Sequence, residues 1–160
     1  MLGYHLSNLG ATDIPCLAVL IYVGFYYAYA SHEFGHYFTA RLTGLKVTRV
    51  VIGHCGTIYL KKHAGTLFVI RVGLKIWREC YVRLAAQDTT VYAMALFLVA
   101  GIIVNITSGA ILIATGIYSK SIPLLIIGGI SLTCGVGQLS SVHGTDGRYM
   151  WSVLRNRSLE

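Results

Sequence analysis

Charged side chains are scarce in this sequence, which limits the kind of protein it can encode. Only 12% of its 160 residues are charged and 55% are hydrophobic, whereas soluble domains carry about 25% charged residues. At most one Asp, Glu, Lys or Arg interrupts each of three long stretches, residues 14–38, 89–119 and 121–142. Each stretch exceeds the roughly 20 residues that a helix needs to cross about 30 Å of hydrocarbon. The composition therefore excludes an ordinary soluble protein and predicts three transmembrane helices.

Two further features are missing. No Lys or Arg precedes the first stretch and no small-residue cleavage site follows it, so we interpret it as a retained helix and not as a secretory signal. A long hydrophilic block is also absent, so we expect the protein to act in or at the bilayer without a soluble catalytic or sensor domain. The cysteines have no Cys-x-x-Cys spacing, and we expect free, mostly structural thiols at Cys16, Cys55, Cys80 and Cys134.

Positive charge outweighs negative charge, which gives a net charge of +7. Nine of the 13 Lys and Arg residues lie in residues 41–83, and three follow the last stretch, at Arg148, Arg155 and Arg157. With three crossings these two basic segments fall on the same side, which the positive-inside rule makes cytoplasmic. We therefore predict a multi-pass membrane protein with its N-terminus outside and its C-terminus cytoplasmic. The charge is expected to contact anionic lipid of the bilayer and not nucleic acid.

The pattern changes between the first two helices. Apolar residues occupy alternate positions from Ile70 to Ile76, and glycines interrupt the segment before them, which is typical of short strands. We expect two to four antiparallel strands at the cytoplasmic membrane face, with Trp77 and Tyr81 near the headgroups.

The predicted fold class is membrane α-helical: a core of three transmembrane helices with a small membrane-associated antiparallel β-sheet between helices 1 and 2. We treat residues 1–160 as a single membrane-embedded domain. Its expected elements are a helix at about 14–43, a β region at about 46–84, helices at about 89–118 and 121–142, and a cytoplasmic tail at 143–160. Glycines in the second and third helices would allow their backbones to approach closely.

The first helix contains the motif His32-Glu33-Phe34-Gly35-His36. At 3.6 residues per turn, His32 and His36 lie one turn apart on the same face, so both imidazoles can bind one zinc ion while Glu33 projects toward a metal-bound water. So short a motif also arises by chance, and the alternative is a helix end with its histidines at the headgroups. A functional metal site is favoured over this alternative, because two His and a Glu near the end of a membrane helix are costly to bury.

A hydrolytic zinc site needs a third protein ligand and an open fourth position. Asp146 is the only acidic residue near the third predicted span, and the charge placement puts the end of that span at the same depth as His32 and His36. The rival ligand is His143, which could instead lie behind the ligands or face the substrate.

Several segments resemble the site-2 protease family of intramembrane metalloproteases. The segment SHEFGHYFTARLTGLKV, residues 31–47, is similar to the family's His-Glu-x-x-His helix, and Ile52-Gly53-His54-Cys55-Gly56 resembles its glycine-rich strand. AGIIVN, residues 100–105, looks like its Ala-Gly-Pro-x-x-Asn signature, with Ile102 where proline is usual. Asp146-Gly147 matches its Asp-Gly motif, which supplies the third zinc ligand. The resemblance covers about residues 14–150. It departs before Asp-Gly, where the usual Asn and Pro residues are replaced by Gln138, Ser141, His143 and Gly144.

The resemblance implies a minimal intramembrane zinc metalloendopeptidase without regulatory domains. One Zn²⁺ ion bound by His32, His36 and Asp146 would activate water, and Glu33 would act as general base. The substrate would be a membrane-anchored protein or peptide cut near the cytoplasmic face. Control would come from a regulatory membrane partner or from the way the substrate is presented. Asn105 is the candidate for contacting substrate or the oxyanion, and the alternative for it is an interhelical hydrogen bond.

Two other classes compete with an active protease. The first is a catalytically inactive membrane metal-binding or substrate-holding protein of the same fold, against which the intact Glu33 argues. The second is a structural subunit of a transporter, which would distribute polar residues through the spans. In this sequence the polar residues of the predicted spans concentrate at one depth instead.

Overall fold

The computed structural model describes residues 13–53, 56–73, 80–86, 89–140 and 145–156, and within them it has four helices and four strands. In chain order these are α1 Asp13–Leu42, β1 Val47–Ile52, β2 Gly56–His63, β3 Thr66–Val72, β4 Tyr81–Leu84, α2 Val91–Ser119, α3 Ile122–Gln138 and α4 Asp146–Asn156.

Local signals account for the ends of the long helices. After α1 the chain reverses at Gly44, whose φ of 77° is favourable for glycine, and the N–H of Leu45 donates to the carbonyl of Ala40 at 2.8 Å. Helix α2 begins after Thr90, whose hydroxyl accepts from the N–H of Ala93 at 3.2 Å. The end of α1 is therefore capped by the backbone and the start of α2 by a side chain, and each cap pairs a backbone group that the helix leaves without a partner.

Two of the helices, over Ile14–Leu42 and Val91–Ser119, are long and apolar enough to cross a membrane. Helix α3 has 17 residues and rises about 26 Å, which is short of the roughly 30 Å of a hydrocarbon core. It ends four residues before the expected end at 142. A third crossing and the orientation of the termini stay predictions.

The segment expected as a cytoplasmic tail contains the short helix α4, which begins at Asp146. Thr145 caps it, because its hydroxyl accepts from the N–H of Arg148 at 3.4 Å. Helix α3 thus ends at Gln138, and α4 begins at the predicted ligand itself.

Close backbone approach joins α1, α2 and α3 into one bundle. A Cβ on Gly109 would lie 2.7 Å from the backbone nitrogen of Leu132, and a Cβ on Gly128 would lie 2.8 Å from the carbonyl oxygen of Gly109. Only glycine fits at this crossing of α2 and α3, as the glycine content predicted.

The sheet is mixed, so the expectation of a wholly antiparallel sheet was wrong. Its strand order is β2-β3-β1-β4, and β1 runs parallel to β3 while the β1–β4 and β2–β3 pairs are antiparallel. The β2–β3 hairpin turns at Ala64 and Gly65, both with positive φ. Alternation reveals a strand but not its neighbour, so insertion of β3 between β2 and β1 could not be predicted.

The sheet lies alongside α1 and not only beneath its end. Tyr37 contacts Phe68 near the end of α1, while Tyr22, about four turns earlier, donates to the carbonyl of Gly73 at 3.3 Å. Buried residues of β1 complete a core with the end of α1 and the start of α2; these are Ala40, Leu45, Val47, Val50, Ile52, Ala93, Phe97 and Leu98. Trp77, expected at the headgroups, lies outside the described residues.

Candidate metal centre

The structure brings His32, His36 and Asp146 together. The His32 and His36 Nε2 atoms are 3.0 Å apart, and Asp146 Oδ2 lies 2.8 Å from the first and 3.0 Å from the second. The histidines come from neighbouring turns of α1, and the aspartate is the first residue of α4. One potential ligand atom from each residue therefore converges on a single point, with all of them within 4.8 Å of one another.

The orientation of His36 is fixed by the backbone of α2. Its Nδ1 lies 2.6 Å from the carbonyl oxygen of Phe97. A carbonyl only accepts, so Nδ1 must carry the proton, and the Nε2 of a neutral ring keeps its lone pair. That lone pair faces Asp146 and His32. This is the arrangement in which a histidine binds a metal while its other nitrogen donates to the protein.

His32 is packed tightly and is only 5% exposed. Its Nδ1 is buried without a hydrogen-bond partner in the part of the chain that the structure describes. The Nε2 atom is therefore the ring nitrogen that makes polar contacts there, and it points at the convergence point.

Asp146 is ionised at this point. Burial raises the pKa of its carboxyl, but the adjacent His32 and His36 rings lower it by more and hold it well below its ordinary value. A carboxylate oxygen and a histidine lone pair 3.0 Å apart repel each other unless a proton or a cation lies between them.

These donors fit a zinc ion. Ligand atoms at about 2.0–2.2 Å from tetrahedral zinc lie about 3.3–3.6 Å apart. The three edges here measure 2.8, 3.0 and 3.0 Å, so a small outward shift of the side chains would accommodate the ion. Two imidazoles and one carboxylate are a donor set that zinc accepts, and three protein ligands leave a fourth position open. The residues thus fit the metal that the motif predicted.

Two glycines let α1 and α2 approach closely enough to place the histidines. A Cβ on Gly101 would lie 2.7 Å from His32 Nδ1 and from His36 Nε2. A Cβ on Gly35 would lie 3.0 Å from the carbonyl oxygen of Ala100. The small residue in the AGIIVN segment therefore leaves room for the two imidazoles.

Asp146 is held by residues that the sequence did not single out for this role. The N–H of Asp146 donates to Gln138 Oε1 at 3.3 Å, and the Thr145 hydroxyl donates to the carbonyl of Ser140 at 2.6 Å. A Cβ on Gly147 would lie 2.6 Å from the carbonyl oxygen of Leu139. The one available signal was a Thr directly before Asp-Gly, which is an N-cap residue in position to start a helix.

Glu33 lies in the same cavity as the three candidate ligands. It is 6% exposed, and the cavity has a volume of about 220 Å³. Its lining also includes Tyr29, Cys80, Tyr81, Val82, Phe97 and Gln138. Helices α1 and α2, strand β4, the end of α3 and the start of α4 thus all contribute side chains to this cavity.

Cys80 lines this cavity as a neutral thiol. Burial raises its pKa to about 11, although the N–H of Gly53 donates to the sulfur at 3.2 Å and opposes the shift. Cys16, Cys80 and Cys134 form no disulfide within the described part of the chain, as expected, while Cys55 lies outside the described residues.

Asn105 is buried, and its side chain bridges two helices. Its Oδ1 accepts from the hydroxyl of Ser31 at 2.8 Å, and the residue is 2% exposed. The interhelical hydrogen bond offered as the alternative role is therefore present. The residue also lines a second cavity with His32, Tyr29 and Gln138, so a contact with substrate stays a prediction. The rival ligand His143 lies outside the described residues.

A model of the protein family described as peptidase family M50 matches residues 20–154. No curated protein matches the chain. The matched range is most of the sequence and includes every residue of the metal centre described above.

Proposed function

The chain belongs to peptidase family M50, the site-2 protease family of membrane metalloproteases, and on that premise we propose that it is an intramembrane zinc endopeptidase. It hydrolyses a peptide bond of a membrane-anchored protein or peptide near the cytoplasmic face, with the N-terminus outside and the C-terminus cytoplasmic. The observation that supports this most directly is the convergence of His32, His36 and Asp146 within 4.8 Å, with Glu33 in the same cavity.

His32, His36 and Asp146 would hold the metal through Nε2, Nε2 and Oδ2. When bound, zinc would lower the pKa of a water ligand toward about 7 and polarise the scissile carbonyl. Glu33 accepts the proton of the attacking water at its carboxylate and then delivers it to the leaving amine nitrogen. The Phe97 carbonyl keeps the His36 proton on Nδ1 throughout, so that the ring does not change tautomer during turnover.

Removal of the metal tests the proposed function. The purified chain should contain about one zinc ion per molecule, because the three convergent donors can hold only one. A chelator should abolish cleavage of a membrane-anchored reporter, and stoichiometric zinc should restore it. Zinc can be measured by atomic absorption and cleavage by gel mobility. A chain that cleaves equally well after complete zinc removal would contradict the proposal.

Gly101→Ala should impair the site without unfolding the bundle. The new Cβ would lie 2.7 Å from both imidazoles, and the rings would have to move, which displaces the ligand atoms. Zinc affinity should fall by about 10–100-fold, while the thermal midpoint of the metal-free chain changes little. Competition with a chromogenic chelator measures the affinity.

Gly129→Ala is the matched control, because a Cβ there meets nothing within 4 Å. It should bind zinc like the wild-type chain. Equal zinc affinity in Gly101→Ala and the control would show that the close approach of α2 is not needed for the metal.

A variant pair separates the two roles of Asn105. If its amide contacts the oxyanion, Asn105→Ala should lower kcat by about 10²-fold or more. Ser31→Ala removes the partner of Oδ1 but keeps the amide, so its kcat should change much less. Equal, small losses in both variants, together with equal losses of thermal stability, would leave Asn105 with the interhelical role alone.

A further inference from the structure

Helix α4 has two faces with different surroundings. Met150 and Val153 pack against the hydrophobic core. Tyr149, at the edge of this inward face, is 52% exposed, and Trp151, farther round the helix, is 58% exposed. Arg148 and Arg155 are exposed as well. The sole acidic residue of the helix is Asp146, which points at the histidines.

The position of α4 in the bundle follows from the hydrophobic core against which Met150 and Val153 pack. This core is formed by the end of α1, including Ala40, and by the start of α2, including Ala93 and Phe97. These are the ends of the two helices long enough to cross a membrane. In the proposed membrane topology, helix α4 therefore lies near the place where the bundle leaves the hydrocarbon, close to the lipid headgroups.

The outward face has the composition of a headgroup contact. Arg148 and Arg155 are seven residues apart, so they project from nearly the same side, two turns or about 10 Å along the axis. Trp151 lies about 50° from them around the helix axis, and Tyr149 lies about 110° away on the other side, at the edge of the inward face. Exposed aromatic rings beside basic residues are typical of the membrane interface, and basic residues there attract anionic lipid.

The same helix begins with a candidate metal ligand. Asp146 is its first residue, and Gly147 is pressed against the carbonyl of Leu139. Movement of α4 would therefore move the carboxylate relative to the histidines of α1. A contact that restrains the outward face restrains Asp146 as well.

We propose that Arg148, Tyr149, Trp151 and Arg155 form a binding surface for anionic phospholipid headgroups, and that this contact holds Asp146 against His32 and His36. Retention of the metal then depends on the lipid around the protein. The second half of this proposal rests on the proposed function, whereas the lipid contact itself does not.

Fluorescence quenching tests the lipid contact. The chain has 2 tryptophans, so Trp77→Phe leaves Trp151 as the single fluorophore of the full-length protein in nanodiscs. Brominated phosphatidylglycerol should quench Trp151 more than brominated phosphatidylcholine at the same mole fraction. Arg148→Gln and Arg155→Gln should each reduce this preference by about fivefold at low ionic strength, which corresponds to about 1 kcal/mol per basic residue.

The double variant Lys61→Gln/Lys62→Gln is the matched control, because it removes the same charge from the exposed strand β2. It should keep the preference. Equal quenching by the two brominated lipids would overturn the proposal. An equal loss of preference in the lysine control would do so too, since it would indicate a general effect of net charge.

Zinc release tests the link to Asp146. Zinc should pass to an excess of chelator several-fold more slowly in discs containing phosphatidylglycerol than in pure phosphatidylcholine, and the difference should vanish in Arg148→Gln/Arg155→Gln but not in the lysine control. Equal release rates in both lipids would overturn the link. The quenching experiment needs neither metal nor cleavage, so its result is independent of the proposed protease activity.

Discussion

Glu33→Gln should retain zinc and lose cleavage by about 10²–10⁴-fold, the usual contribution of a general base. Glutamine has nearly the same shape as glutamate, so the buried position of residue 33 in the cavity can be kept. It cannot accept a proton from the attacking water, and its amide cannot return one to the leaving amine. The measurement is kcat on a membrane-anchored reporter at saturating zinc.

The zinc content of Glu33→Gln decides what its loss of activity means. A wild-type content with lost cleavage places the defect in proton transfer. The outcome also separates the active protease from the inactive metal-binding alternative, which predicts that wild type and variant are equally inert. A variant retaining more than about a tenth of wild-type kcat would contradict the role of Glu33 as base, since a lost base costs at least about 10²-fold.

Asp146→Ala should cause the second large effect, a loss of zinc. It removes the one negatively charged member of the three, leaving His32 and His36 to hold the ion alone. A two-ligand site lacks both the charge and the geometry that structural and catalytic zinc sites have in common. Affinity should fall by at least about 10²-fold, more than for a change in a supporting residue. Zinc binding by competition and cleavage should fall together.

Gln138→Ala is compared with Asp146→Ala because it should cause a smaller loss of zinc affinity. It keeps the carboxylate and removes only the oxygen that accepts from the N–H of Asp146. The expected loss of affinity is about tenfold, and added zinc should restore cleavage. If Asp146→Ala binds zinc as tightly as wild type, the third ligand is another residue, and His143 is the first to test.

The two histidines were predictable because their relation is local. A spacing of four residues fixes two side chains on one helical face whatever the rest of the chain does. Charge placement added the depth of the site, because the same basic segments that suggest orientation flank the motif and Asp146. The structure then brings these residues within hydrogen-bonding distance of one another.

The sheet was harder to predict. Alternating apolar residues revealed strands between the first two helices, but strand order and direction depend on which strands pair once the chain has folded. The parallel pairing of β1 with β3 and the contact of the sheet with α1 as far as Tyr22 are consequences of packing. No periodicity in the sequence encodes them.

The sequence by itself determined that this chain belongs in a membrane, that one of its helices presents two histidines and a glutamate together, and that Asp146 is the acidic residue available to join them. Composition and helical spacing are enough for these conclusions. Only the tertiary structure decided how the site is held. The Phe97 carbonyl sets the tautomer of His36, Gly101 leaves room for both rings, and the break after Gln138 turns Asp146 inward. These contacts join residues far apart in the chain, so they exist only once the helices have packed.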